Sequence, residues 1–186
     1  MPSLNKNFLD QLNEDYREYK CFVETGTYGG ETIFNMEPLF EKLYTIEISE
    51  DIFKNTSKLY NGEKINFILG DSSKVFRYLL PLLNEKCLFF LDGHYSSGNT
   101  GKGEKDCPLN EEVDLINKYF KNEAILIIDD YRLFGIKAKE DWSDINKENI
   151  LSLLEGRVDK VYHLDSECSI NDRLVIHIKK HKIQNN

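Results

Sequence analysis

The sequence predicts an α/β protein built on a doubly wound, mainly parallel sheet that closes with a C-terminal antiparallel hairpin. Three observations predict it. Strand-like and helix-like segments alternate along the chain, and two strand-like segments, Leu88–Leu91 and Ala124–Ile128, are apolar throughout. The chain also ends in two strand-like stretches joined by a polar turn. Continuous apolar strands suit a sheet covered on both faces. Alternation of the two element types implies parallel strands joined by helical crossovers. A length of 186 residues suits one core, and so a single domain spanning 1–186.

From the N-terminus, Phe8, Leu9, Leu12 and Tyr16 recur at helical spacing, so a helix is expected over 5–19. Cys21-Phe22-Val23 forms the first strand and runs into the segment Glu24-Thr25-Gly26-Thr27-Tyr28-Gly29-Gly30, and Thr32-Ile33-Phe34 begins the next helix. Leu43–Ile48 is the second strand, with Ser49 placed to cap the helix after it. Ile65–Leu69 is the third, succeeded by Gly70-Asp71-Ser72 and a helix through Val75, Phe76 and Leu79. Between the fourth and fifth strands, residues 110–121 place Val113, Ile116, Tyr119 and Phe120 on one helical face. A helix at 148–156 and strands at Lys160–Leu164 and Arg173–Ile178 complete the chain. Two long loops, 93–109 and 131–147, leave from the carboxyl edge of the strands, where such sheets bind ligands.

Composition narrows the partners. A net charge of −8 argues against a phosphate-backbone binder, and Lys179-Lys180-His181-Lys182 reads as a solvated end. No apolar run approaches the roughly 20 residues of a membrane helix, and Met1–Asn7 lacks the apolar core of a signal peptide. The expectation is a cytoplasmic protein acting on a small molecule, without nucleic acid or membrane, and able to form a homodimer. The four cysteines contain no CxxC pair, so neither a zinc site nor a disulfide framework is expected. Cys21 and Cys87 read as small buried hydrophobes. Cys107, in a polar loop, reads as the one reactive thiol.

Glu24, Gly26, Gly30 and Thr32 make an acidic-x-Gly-x-x-x-Gly-x-Thr pattern at the end of the first strand. Glycines let the backbone turn tightly and approach a ligand. Glu47, ending the second strand, is placed to accept both hydroxyls of a ribose, and Asp71, after the third, to reach an adenine edge. A dinucleotide needs G-x-G-x-x-G, whereas the glycines here stand at 26, 29 and 30. The charge of Glu24 suits a cationic sulfonium and amino group better than a pyrophosphate. At the ends of the fourth and fifth strands lie Asp92 and the pair Asp129-Asp130. Neighbouring strands are about 4.8 Å apart, so these carboxylates repel unless a cation or a shared proton offsets them. Oxygen ligation favours Mg²⁺, Mn²⁺ or Ca²⁺. His94, two residues past Asp92, is the best-placed general base.

From Glu24 to Ile128 the chain resembles the class I S-adenosylmethionine-dependent methyltransferases, whose Rossmann-like fold also ends in a hairpin. The resemblance implies that Gly26 and Gly30 hug S-adenosylmethionine, that Glu47 holds its ribose and that Asp71 neighbours its adenine. Glu24 would then lie near the methionine amino group, and Thr27, Tyr28, Thr32, Ile48, Ser72 and Asp92 complete the cofactor contacts. The Asp-Gly sequence after the fourth strand and Asp-Asp after the fifth are similar to metal-dependent sugar O-methyltransferases of the macrocin type. That likeness implies metal ligation by Asp92, Asp129 and Asp130, with Mg²⁺ acidifying an acceptor hydroxyl, and Asp92 and His94 as the catalytic pair. His94, Tyr95, Lys102, Lys105, Tyr131 and Arg132 are the candidate acceptor contacts. Trp142 can either stack on a sugar or anchor its loop. The chain departs from the likeness in its longer, Gly- and Lys-rich loop Ser96–Pro108. Metal-free N-methylation, an inactive cofactor-binding relative and, less favoured, an NAD-dependent oxidoreductase remain as alternatives.

Overall fold

The computed structural model describes residues 3–98 and 100–181. Strands β1 (Cys21–Thr25), β2 (Lys42–Glu47), β3 (Ile65–Leu69), β4 (Cys87–Leu91), β5 (Ala124–Ile128), β6 (Val158–Leu164) and β7 (Arg173–Ile178) form one sheet. Their order is β3-β2-β1-β4-β5-β7-β6, parallel from β3 to β5 and antiparallel at β5–β7 and β6–β7. The helices are α1 (Lys6–Leu9), α2 (Glu31–Met36), α3 (Glu50–Ser57), α4 (Ser72–Leu79), α5 (Leu109–Tyr119) and α6 (Lys147–Leu153). Among the described residues, no helix is long and apolar enough to cross a membrane.

Side-chain alternation explains how the sheet is covered. Cys21, Val23, Phe89, Leu126 and Ile128 face one core with Phe76 of α4 and Ile116 of α5. Phe22, Leu88, Phe90, Ile125 and Ile127 face the other with Ile33 and Met36 of α2. Every residue of β1, β4 and β5 is buried, which accounts for their apolar runs. Edge strand β3 is only partly covered.

The N-terminal region differs from the sequence expectation. The helix expected over 5–19 is a single turn at Lys6–Leu9 and a 3₁₀ turn at Tyr16–Glu18. Asn5 caps the first turn through Phe8 N–H, and Asp15 accepts from Arg17 N–H to start a second, separate turn, so the segment between them is not one continuous helix. The apolar residues still reach the core, and Asn13 N–H donates to Tyr162 on β6.

The thiols also need one correction. Cys107 is not a solvated loop residue; it is 3% exposed, and burial raises its pKa, which suppresses the thiolate. Cys168 is the exposed cysteine. Cys21 and Cys87 are buried side by side on β1 and β4.

Register positions the site. Thr25 pairs with Ile46 and Leu91, and Leu91 with Ile128, so the turns after β1, β2, β4 and β5 leave one edge together. Because β7 runs the other way, its first residue, Arg173, arrives at that same edge.

Candidate functional site

A cleft of about 870 Å³, open to solvent, lies over these strand ends. Gly26, Tyr28, Glu47, Ile48, Asp71, Ser72 and Asp92 line it, along with His94, Tyr95 and, from the following loop, Thr100, Gly101, Gly103, Lys105 and Asp106; Lys102 is not on its wall. Gly26 has φ +83°, and a Cβ there would drive into the carbonyl oxygen of Asp92. Only glycine lets the β1 and β4 turns approach this closely. Glu24, Thr27, Gly30 and Thr32 are not on the cleft wall. Glu24 is buried, accepts from Thr45 Oγ1 at 2.7 Å, and is pushed well above the ordinary carboxylate range by burial. Thr27 Oγ1 meets Thr45 Oγ1 at 2.6 Å, and Thr32 Oγ1 accepts from Leu4 N–H. Gly30, at φ +85°, opens α2 close against Phe34 and Thr56.

The acids at the ends of β2 and β3 are held by the chain's own backbone. Glu47 Oε2 accepts from Tyr28 N–H at 3.0 Å, and Oε1 accepts from Ser49 N–H at 2.9 Å. Asp71 caps α4 through Ser73 N–H (3.0 Å) and also accepts from Ser73 Oγ (2.6 Å). Its other oxygen lies beneath the 93–109 loop, where Gly103 passes close to it and Gly101 packs on Ile48. Lys74–Glu104 and Lys105–Asp144 ion pairs hold that loop to α4 and to the 131–147 loop. Lys102 pairs with Asp106 and lies over the Tyr95 ring, and Lys105 also pairs with Glu111.

At the ends of β4 and β5 the acids pair with side chains instead. His94 Nδ1 lies 3.3 Å from Asp92 Oδ1, and Nε2 lies 3.2 Å from Asp130 Oδ2 and 2.7 Å from Ser96 Oγ. Burial alone would lower the His94 pKa, but Asp92, then Asp130 and Asp129, outweigh it and raise it. Trp142 is 3% exposed and packs edge-on against His94, with centroids 4.8 Å apart, so it anchors the loop. Asp130 sits at φ +59° and shares Arg132 with Asp172. Tyr131 packs at a tilt between Phe134 and His163. Asp129 accepts from Arg173 Nε at 3.2 Å; burial and Asp92 push it up to about 7.

The ligand set inferred from sequence is therefore regrouped. Among the described residues, the donor atoms that lie within 4.8 Å of one another belong to Asp92, His94 and Asp130, and to Asp129, Asp130 and Asp172. Asp92, Asp129 and Asp130 do not gather as one set, because Arg173 holds Asp129 in the sheet. Asp172, Arg173 and Ser96 escaped the sequence reading. The first two lie some 40 positions downstream, and only the antiparallel pairing of β5 with β7 brings them back.

No family model and no curated protein sequence matches the chain. Solved structures do. The chain is similar to fibrillarin from Aeropyrum pernix in complex with natively bound S-adenosyl-L-methionine, at 17% identity and TM-score 0.57, over 92% of this chain and 71% of that one. It is similar to a putative type 11 methyltransferase from Sulfolobus solfataricus, at 14% identity and TM-score 0.57, over 99% and 97%. A putative methyltransferase from Streptococcus mutans, in complex with SAH, matches at 15% identity and TM-score 0.56, over 94% of each chain. The fold is that of the class I methyltransferases.

Proposed function

We propose that this chain transfers the methyl group of S-adenosylmethionine to a hydroxyl of a small, sugar-like acceptor. One observation carries the reading. A single cleft has Glu47 and Asp71 fixed at its donor end and His94 set between two carboxylates at the other. Two structures of this fold that carry the methyl donor or SAH support it. In the proposed reaction the acceptor oxygen forms a bond to the methyl carbon while the carbon–sulfur bond breaks. The hydroxyl proton passes to His94, and S-adenosylhomocysteine departs. Asp92 holds the imidazole through Nδ1, leaving Nε2 toward Ser96 and Asp130. Such a positioned base contributes about 10²–10⁴-fold, and alignment of oxygen with methyl supplies the rest. The net charge of −8 favours a neutral or cationic acceptor, and we place the reaction in the cytoplasm.

The test is calorimetric titration with S-adenosylhomocysteine, then assay of its formation over a panel of sugars and polyols. Failure to bind at millimolar concentration overturns the proposal. His94→Ala should lower kcat by about 10²–10⁴-fold with product binding unchanged, and unaltered turnover removes His94 as the base.

A second reading is favoured by the clustered donor atoms of Asp92, His94 and Asp130. Two carboxylates and an imidazole fit a divalent ion that accepts mixed oxygen and nitrogen ligation, Mn²⁺ more readily than Mg²⁺. Bound there, the ion would acidify the acceptor hydroxyl, and His94 would be a ligand. Turnover lost in EDTA and restored by Mn²⁺ selects this reading; full turnover in EDTA rejects it.

A further inference from the structure

Glu112 is 1% exposed on α5, a helix whose other inward residues, Val113, Leu115 and Ile116, are apolar. A buried carboxyl is costly without partners, and an isosteric apolar residue would pack more cheaply. Its position shows what it touches. The Ser72 and Thr25 hydroxyls lie near the carboxyl and partly oppose the effect of burial, which pushes its pKa up to about 7. Glu112 Oε1 and Thr25 Oγ1 are both buried without a hydrogen-bond partner among the described residues, so they meet the turn by close contact. A Cβ at Gly93 would lie 2.9 Å from Thr25 Oγ1 and 3.1 Å from Glu112 Oε1, so both stand directly behind the β4 turn. A narrow slot of only about 10 Å³ behind that turn is lined by Glu112, Asp92, Gly93, His94, Asp129 and Trp142.

Thr25, Ser72 and Gly93 have one thing in common. Each adjoins a residue of the cleft wall: Gly26, Asp71 and Asp92. They come from β1, α4 and the turn after β4, which share no covalent connection near the site. Resting on the proposed cofactor reading, we propose that Glu112 is a positioning residue for the methyl donor, tying the turns that carry Gly26, Asp71 and Asp92 into one arrangement. Glu112 Oε1 and Thr25 Oγ1, both buried and without a partner among the described residues, flank the Gly93 backbone and so back the β4 turn against β1. Glu112 does not itself line the main cleft, so it acts through these neighbours.

The experiment compares S-adenosylhomocysteine affinity and thermal stability in the full chain carrying Glu112→Gln, Glu112→Leu or Ile116→Val. Replacing a buried polar group at such a contact shifts an equilibrium by about tenfold, so Glu112→Leu should weaken binding by about that factor. Glu112→Gln, which still donates and accepts, should stay within about threefold. Ile116→Val, one turn further along the same helix, should lower Tm with Kd unchanged, which separates positioning from general packing. Unchanged Kd in Glu112→Leu overturns the proposal. If that variant does not fold, Thr25→Val approaches the same contact from β1, and unchanged Kd there overturns it equally. A wild-type chain that binds no S-adenosylhomocysteine overturns the cofactor reading and this inference together. Wild-type binding that Glu112→Leu leaves intact overturns this inference alone.

Discussion

The two ends of the cleft hold their charges in different ways. At the ends of β2 and β3, Glu47 and Asp71 accept from backbone N–H groups of their own turns and of the turn after β1. At the ends of β4 and β5, Asp92, Asp129 and Asp130 rely on His94, Arg173 and Arg132. A backbone donor is fixed by the fold and cannot be mutated away. A side-chain partner can be lost, and its loss strands a buried charge. The donor end should therefore tolerate substitution with local effects on binding, whereas the acceptor end should answer with stability.

Arg173→Leu tests the contrast most severely. Removing one member of a buried ion pair costs about 3–5 kcal/mol, because Asp129 is left without its cation. Chemical denaturation should show that loss, and adding Asp129→Asn should recover part of it. A loss below about 1 kcal/mol, the range of exposed pairs, would put the two ends on the same footing.

The next effect is a dependence on pH. The Glu112 pKa rises from 4.5 to about 7 on folding, chiefly through burial. Below pH 4.5 both states keep the proton, and between 4.5 and about 7 only the unfolded chain releases it. Stability therefore falls across that window, by at most about 3 kcal/mol, and the cost persists above it. Glu112→Gln should remove this slope and be the more stable protein at pH 8. Parallel denaturation curves of the two proteins from pH 4.5 to 8 would contradict it.

Gly26→Ala acts on the seam between the two ends. Its φ of +83° and the nearby Asp92 carbonyl oppose a side chain, at a cost of about 1–3 kcal/mol. Both S-adenosylhomocysteine affinity and Tm should drop, because the β1 and β4 turns are pushed apart. A change in only one of them would show the ends to be independent. The smallest effect is expected at Glu47→Gln, which keeps one acceptor for Tyr28 or Ser49 N–H. It should weaken S-adenosylhomocysteine binding about tenfold, some 1.4 kcal/mol, with Tm near that of wild type.

The sequence made the donor end easier to read than the acceptor end, for the same physical reason. Gly26, Glu47 and Asp71 each come at or just after a strand visible from its apolar run, and the partners of the two acids lie within a few residues or on the adjoining strand's turn. Asp92, Asp129 and Asp130 were legible as strand-end acids, but their partners were not. Arg173 and Asp172 are brought in by the terminal hairpin, and Trp142 reaches His94 from a loop with no periodicity. Glu112 was hidden differently: an acid beside Glu111 on an amphipathic helix looks solvated, yet it points inward. The N-terminal helix is shorter than apolar spacing implies because that spacing does not register the second start that Asp15 caps.

The antiparallel entry of β7 also bears on how the chain is made. Asp129 is synthesised 44 positions before the arginine that neutralises it. Domains fold largely as they emerge from the ribosome, from the N-terminal side onward. The five parallel strands can thus assemble early, with Asp92 and Asp130 beside His94 and Arg132, but Asp129 stays uncompensated until β7 docks. Docking of β7 is thus the step that settles Asp129, and a nascent chain truncated before residue 173 should lack the Asp129–Arg173 pair and hold that end of the cleft less firmly.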